Sequence, residues 1–282
     1  MSNPDDLDSV QDPSRRYVLG HSDRELDRLR VQARLIEPIT RRFFVEAGIV
    51  PGMRVLDVGS GAGDVAFLAA DLVGDTGEVV GVDRAPAALR VARERASARS
   101  SGNVSFKEGD PAAMAFERPF DAVIGRYVLM YQPDPAATLK GLLRHVRPGG
   151  VVVFHEPDWT CGRSFPPLPS WDLWNQRVVD AMQSGGADMR MGIKLHSLFV
   201  AVGLPAPSLR LETVIGGGAN SSDQVHFALD AVVTLLSDME KLGLVAPGEI
   251  DAETLAERVL DDVTASGSVV IGRSDVGAWS RA

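Results

Sequence analysis

The stretch Arg54-Val55-Leu56-Asp57-Val58-Gly59-Ser60-Gly61-Ala62-Gly63-Asp64 decides the fold. Three apolar residues, Val55, Leu56 and Val58, surround one acid, Asp57, and the run then breaks into Gly59, Gly61 and Gly63. Apolar spacing resumes at Val65, Phe67, Leu68 and Leu72, which suits one face of a helix. Strand, glycine turn, helix is the order in which an open α/β sheet meets a nucleotide-like ligand. Glycine is needed there because a Cβ would resist positive φ and hold the backbone away from the ligand.

The spacing narrows the ligand. A dinucleotide fingerprint, G-x-G-x-x-G, would place its third glycine at position 64, where Asp64 stands. The pattern is instead D-x-G-x-G-x-G, with a carboxylate two residues before the first glycine. That carboxylate would repel a pyrophosphate and hold a ligand with an ammonium group. S-adenosylmethionine has an ammonium and a sulfonium. On these residues the chain resembles the class I S-adenosylmethionine-dependent methyltransferases, in their small-molecule branch of natural-product and quinone type. The resemblance implies an α/β fold: a Rossmann-like, seven-stranded, mostly parallel sheet with an antiparallel last strand, helices on both faces and a helical cap. It also implies S-adenosylmethionine as cofactor, S-adenosylhomocysteine as product, and Asp57, Gly59, Ser60 and Gly61 at the cofactor mouth.

Downstream spacing agrees. Glu78 to Asp83 is a second apolar run ending in an acid, roughly 20 residues beyond the glycines, where a carboxylate accepts hydrogen bonds from ribose hydroxyls. Asp83 also suits a helix N-cap before Pro86, and the two roles are compatible. Arg84 beside it can lie against the adenine. Asn103 to Phe106 reads as a third strand, followed by Glu108-Gly109-Asp110-Pro111. The resemblance gives Asp110 the adenine amino group, with Gly109 and Pro111 beside it. Phe120 to Arg126 and Gly149 to His155 are the fourth and fifth strands, and the turn Arg147-Pro148-Gly149-Gly150 leads into the fifth. The resemblance is strong over residues 50–160 and weak at the ends.

Composition bounds the partners. The chain has 282 residues with 45% hydrophobic and 24% charged, enough to bury a full core. Its 29 basic and 38 acidic residues give a net charge of −9 with no extended basic run, which argues against nucleic-acid or anionic-membrane partners. The single cysteine, Cys161, cannot form an internal disulfide and suits a reducing cytoplasm. The start, Met1 to Arg16, is polar and acidic, unlike a secretory signal, and no run reaches the roughly 18 apolar residues of a membrane span. The expectation is a cytoplasmic monomer or homodimer acting on a small molecule, with no metal.

The flanks read as a cap on the sheet. Residues 1–15 are expected as a flexible tail and 16–50 as an N-terminal helical cap segment. Residues 51–282 form the main domain, with cap insertions near 160–205 and 216–268. Asp23 to Ala47 has helical spacing at Leu26, Leu29, Ala33, Ile36, Ile39 and Phe43, and Pro38 predicts two helices or one kinked helix. Tyr17, His21 and Gln32 are candidates for pocket contacts, each also readable as a surface or packing residue. Ser170 onward forms a helix with Trp171, Trp174, Val178 and Met182 on one stripe, which belongs to the core or to a substrate-facing cap. Leu209 to Ile215 is the sixth strand, Ser222 to Leu242 a long helix, and Val276 to Ser280 the last strand.

Methyl transfer is an in-line displacement, so the protein must align acceptor, methyl and sulfur and exclude water. A base helps an oxygen or nitrogen acceptor lose its proton. Ligands of open sheets sit beyond the carboxyl ends of the strands, which selects Arg126, Tyr127, Tyr131, His155, Glu156, Asp158 and Trp159. His155 and Glu156 are the candidate bases, with bracing of the loop as the equal alternative. Arg126 could hold an acidic substrate group or anchor the loop over the methionine end of the cofactor. Tyr127, Tyr131, Asp158, Trp159 and Trp174 are candidates for the acceptor. Gly125-Arg126-Tyr127-Val128 departs from the polar-Pro-Pro-aromatic pattern of nucleic-acid amine methylation. A small organic acceptor remains, oxygen first and nitrogen or carbon next. A non-methylating protein of the same fold, a cyclase or regulatory module, is the alternative.

Overall fold

A computed structural model describes residues 23–99 and 102–282, with side chains described from Arg34 onward in the first helix. Helix α1 (Asp23–Ala47) leads into β1 (Arg54–Val58), α2 (Asp64–Val73), β2 (Glu78–Asp83), α3 (Pro86–Arg99), β3 (Val104–Glu108) and β4 (Phe120–Arg126). Helix α4 (Pro135–Leu143), β5 (Val146–Asp158), β6 (Arg163–Phe165), α5 (Pro169–Ser184) and α6 (Met191–Ala201) follow. Strand β7 (Ser208–Gly217), α7 (Ser222–Lys241), α8 (Leu255–Ser266) and β8 (Val269–Arg281) complete the chain.

The strands form one sheet in the order β3-β2-β1-β4-β5-β8-β6, with β7 on β8. β1 to β5 are mutually parallel, and β8 runs antiparallel to β5, β6 and β7. The expected Rossmann-like architecture is therefore present, with one addition. Among the described residues eight strands stand where seven were expected, because Arg163–Phe165 pairs with the start of β8.

Helices cover both faces, as continuous apolar strands require. One face packs Leu139 and Leu142 of α4 with Leu195 and Phe199 of α6 against Val123, Val152 and Phe154. The other packs Phe44 of α1, most of α2, and Leu89 and Ala92 of α3 against Val55, Val79, Ile124 and Val153. A third cluster joins α5, α7 and α8 through Trp171, Val178, Val225, Leu229, Val259 and Val263. Burying each large side chain of these clusters contributes about 1.5–3 kcal/mol.

One element departs from the sequence reading and another meets one of its two alternatives. Asp23–Ala47 is a single helix through Pro38, not two helices. The proline ring is on the exposed side, while Ile36, Ile39, Phe43 and Phe44 are buried, so packing outweighs one lost backbone hydrogen bond. Strand β5 runs beyond His155 through Glu156, Pro157 and Asp158, because β8 continues to pair with it at Val276, Asp275 and Ser274. β4 ends opposite His155, so Pro157 sits where β5 has a neighbour on one side only, the setting in which a strand tolerates proline.

Candidate active site

At the carboxyl end of β1 the chain turns through Gly59 (φ 66°), Gly61 (φ 52°) and Gly63, which caps α2 at φ 92°. A Cβ on Gly59 would lie 2.8 Å from Val128 Cγ2, so the turn sits directly on the loop after β4. A Cβ on Gly61 would meet nothing within 4 Å, so that residue faces open space. The expected cofactor mouth thus has both close backbone packing and room in front.

Asp57 is 1% exposed, and among the described residues neither of its carboxylate oxygens has a hydrogen-bond partner; buried Ser60 Oγ has none among them either. Burial pushes the Asp57 carboxyl well above its ordinary range, against the pull of the Arg126 guanidinium and with the repulsion of Asp83 and Asp64. The Ala66 amide favours the charged form without reaching hydrogen-bond geometry. A buried acceptor without a donor is costly, and an ammonium group at this mouth supplies donors and charge together. The residues present fit S-adenosylmethionine.

Asp83, at the end of β2, accepts from the Gly61 amide at 2.8 Å and the Ala85 amide at 2.8 Å. One amide engages each oxygen, leaving lone pairs for two ribose hydroxyls. The Ala85 contact is a side-chain turn just ahead of α3, and Ala85 rather than Asp83 takes the N-cap position before Pro86. Asp110 accepts from the Ala112 amide, and its other oxygen pairs with Arg84 at 2.6 Å. Arg84 therefore closes over Asp110 rather than standing free for adenine. Gly109 donates to the Asp83 carbonyl, which joins the ends of β2 and β3, and Pro111 is buried.

Beyond β4 the backbone turns at Tyr127, a non-glycine residue at φ 57°, a conformation that costs of order 1 kcal/mol. It is held by its side chain. Tyr127 Oη donates to Asp275 Oδ1 at 2.6 Å, and Arg273 Nη2 donates to Tyr127 Oη at 2.8 Å. His155 lies between Asp275 and α1: Nε2 is 3.0 Å from Asp275 Oδ1, and Nδ1 is 3.2 Å from Thr40 Oγ1. Arg126 donates to the same Thr40 hydroxyl. Burial would raise Asp275, but Arg273, His155 and Tyr127 outweigh it and bring the carboxyl to about 2. Burial lowers His155, leaving the ring neutral. An ionised Asp275 only accepts, so Nε2 carries the imidazole proton, while Nδ1 faces the Thr40 hydroxyl, which donates to the Ile36 carbonyl at 3.0 Å. Burial above all raises the Tyr127 phenol.

His155 and Glu156 were the candidate bases, and their surroundings oppose that role. His155 is 0% exposed, both nitrogens are engaged, and its ring packs edge-on against Phe43 and Tyr127. Glu156 accepts from the amides of Val128, Leu129 and Met130, which start the short 3-10 helix Leu129–Tyr131. Burial pushes its carboxyl up to about 7, and Asp188 adds to this, while the three amides oppose it. Both residues brace the loop, the alternative left open above. The cause is the extended β5, which places them inside a paired strand rather than beyond its end.

Other candidates separate. Asp158 caps a 3-10 turn through the Thr160 amide and hydroxyl and is turned inward. Trp159 lines a cavity of about 20 Å³ together with Leu35, Ile36, Phe227, Gln224 and Arg273. Trp174 lies in a different groove, beside Leu255 and Arg258 between α5 and α8, stacked with Arg177. Tyr131 is exposed at 52%. Tyr17 and His21 lie outside the described residues, as does the side chain of Gln32. His226 contacts Glu257.

Four residues escaped the sequence reading: Thr40, Gln224, Arg273 and Asp275. Thr40 and Gln224 are single polar residues on apolar helix faces, a weak signal. Arg273 and Asp275 fall in β8 ahead of the segment read as the last strand, and an Arg-x-Asp step with both side chains on one strand face was the available clue.

A family model described as a methyltransferase domain matches residues 49–191. The aklanonic acid methyltransferase DauC of Streptomyces sp. (strain C5) is 37% identical over 144 residues, 51% of this chain and 64% of that protein. The demethylmenaquinone methyltransferase of Lactococcus lactis is 30% identical over 200 residues, 64% of this chain and 75% of that protein. The chain thus spans less than two thirds of the first relative's length and three quarters of the second's. Among solved structures, the cyclase SpnF superposes with a TM-score of 0.53 at 17% identity, covering 86% of this chain and 80% of that one, a likeness of fold.

Proposed function

Since the chain belongs to the class I S-adenosylmethionine-dependent methyltransferases, we propose that it methylates a small ring compound of polyketide or quinone type by in-line displacement. The names of the two relatives support that acceptor class. Oxygen is the accepting atom assigned first, ahead of carbon or nitrogen.

The observation that carries cofactor binding is the orphaned, buried Asp57 carboxylate beneath the glycine turn. Asp57 and Ser60 would hold the ammonium end, and Arg126 the methionine carboxylate. Asp83 would take the ribose hydroxyls, and Asp110 the adenine amino group once Arg84 moves aside. Bound there, the cofactor supplies a methyl group already activated by its sulfonium. The chain's own task is alignment and exclusion of water. Tyr127, locked by Asp275 and Arg273, forms the wall between the β4 end and the space under α1. Helices α1, α5, α7 and α8 form the cap over the acceptor. His155 and Asp275 hold Thr40, and through it Arg126, in place; neither is the proton acceptor in this scheme.

Calorimetry with S-adenosylmethionine, followed by detection of S-adenosylhomocysteine in the presence of polyketide and quinol acceptors, tests the reading. Saturable binding and acceptor-dependent turnover are expected. No binding at millimolar cofactor would overturn it.

A further inference from the structure

Strand β7 lies at an edge of the sheet, with β8 as its one strand partner among the described residues. Outside that ladder, no hydrogen bond links the main chain of Ser208–Val214 to that of another described residue. Edges of this kind are usually guarded by lysine, proline or a charge set into the open face. The segment from Ser208 to Val214 contains neither lysine nor proline. Its two charges face α1 instead. Arg210 pairs with Glu46, Glu212 pairs with Arg42, and Arg210 Nε is 2.8 Å from Glu212 Oε1.

The opposite face of the strand is apolar and open. Leu209 and Leu211 are 50% and 54% exposed, and Ile215 beyond them is 62% exposed. Leu209 and Leu211 stand beside Ala278 and Val276 of β8. Helix α6 covers Val276, where a Cβ on Gly192 would lie 2.9 Å from Val276 Cγ2, yet both leucines stay in solvent. Single exposed apolar residues are ordinary. Two adjacent leucines along an unguarded edge mark a surface that another strand can complete.

The charges select which strand. Residues directly opposite in an antiparallel pair point to the same face. A twofold axis normal to the sheet must therefore set one residue opposite its own copy, because a half-step slip would put leucine against charge. Centring on Arg210 or on Glu212 opposes like charges, and centring on Thr213 carries the ladder past the register shift at Val214. Centring on Leu211 sets leucine against leucine, Leu209 against the partner's Thr213, and Arg210 against the partner's Glu212. The strand is complementary to itself in that register.

We propose that two copies of this chain form a twofold dimer through β7. Ser208–Val214 of one copy pairs antiparallel with the same segment of the other, and the two sheets become continuous. Each copy supplies both halves of the charge match, so the occupant of this edge is a second copy rather than a different protein. The inference is independent of the cofactor and of the acceptor.

Sedimentation velocity of the full chain at micromolar concentrations tests it, and twice the mass of one chain is expected. Leu211→Glu places a carboxylate against its own copy and should raise the dissociation constant at least about a hundredfold. Arg210→Glu and Glu212→Arg should each weaken self-association at least about tenfold, since each opposes like charges. An equimolar mixture of those two variants restores opposite charges at both positions, so mixing should bring the dimer back. Recovery on mixing cannot come from a chain that has merely lost its contact with Glu46 or Arg42. Should either charge variant fail to fold by circular dichroism, the exposed Leu211→Glu variant decides alone. A monomer at every concentration would overturn the inference. So would a dimer that survives Leu211→Glu, or folded charge variants that stay apart when mixed.

Discussion

Asp57 carries a buried carboxyl whose ordinary ionisation is opposed by its surroundings, and that sets how cofactor affinity responds to pH. Its pKa lies above the usual range because of burial, and a cationic ligand favours the ionised form. Affinity for S-adenosylmethionine should therefore weaken as pH falls through the raised pKa, measured by calorimetry between about pH 8 and about pH 5. Asp57→Asn should bind weakly with a flatter profile over the same range. A wild-type affinity independent of pH would place the ammonium elsewhere. Asp83 poses a sharper case. Its two oxygens already hold the glycine turn and the start of α3, at 2.8 Å each. Asp83→Ala should lose the ribose contacts as well, at about 1.5–3 kcal/mol per hydrogen bond to a charged group, or at least tenfold in affinity. An unchanged dissociation constant would remove the ribose assignment.

Among the elements, the loop after β4 and the extended β5 depend on each other. Glu156 satisfies three amides of that loop. Removing the carboxylate leaves buried donors unpaired, so Glu156→Ala should lower unfolding free energy by about 3 kcal/mol or more, read from urea denaturation. His155 adds a pH term of defined sign. Its folded pKa lies below the unfolded value of about 6.5, so the unfolded chain takes up the proton first. The stability it contributes is present above that value and is lost as pH falls below it. Glu156, raised to about 7, acts oppositely: the folded form keeps its proton longer, and this advantage is lost as pH rises through about 7. His155→Gln keeps a donor for Asp275 and isolates the two. Its stability should decline less between about pH 7 and pH 5 than that of the wild type, by urea midpoints. An equal decline would mean that the ring is charged in the fold.

At the scale of the whole molecule, the cofactor site joins β1, β2, β3 and β4 with the loops beyond them, so binding should stabilise the entire cooperative unit. Ligand at about 100 times its dissociation constant adds about 2.7 kcal/mol, which for a chain of this size raises Tm by roughly 5 °C. Differential scanning fluorimetry with S-adenosylmethionine and S-adenosylhomocysteine measures this, and no shift with either would count against the cofactor. Much of the proposed cofactor half was legible in advance because its residues are contiguous or sit at the ends of short parallel strands. Asp57, the glycine turn, Asp83 and Asp110 follow from one β-α-β spacing repeated along the chain. The cluster around Tyr127 was not legible in the same way. Thr40, His155, Gln224, Arg273 and Asp275 come from four elements far apart in sequence, and each is an ordinary polar residue until the elements pack.

The sequence by itself determined the run of strands and the glycine turn at the proposed cofactor end, because periodicity and glycine spacing are local properties that packing has only to preserve; the Rossmann-like order and the antiparallel last strand came from the family resemblance. Tertiary structure alone decided what His155 and Glu156 do. Whether a side chain at a strand end faces a cleft or a partner depends on how far the neighbouring strand extends, and β8 runs past His155 to enclose both residues. Burial and the hydrogen bonds of residues distant in sequence then engaged both side chains within the fold. The same antiparallel pairing brought Arg273 and Asp275 beside Tyr127.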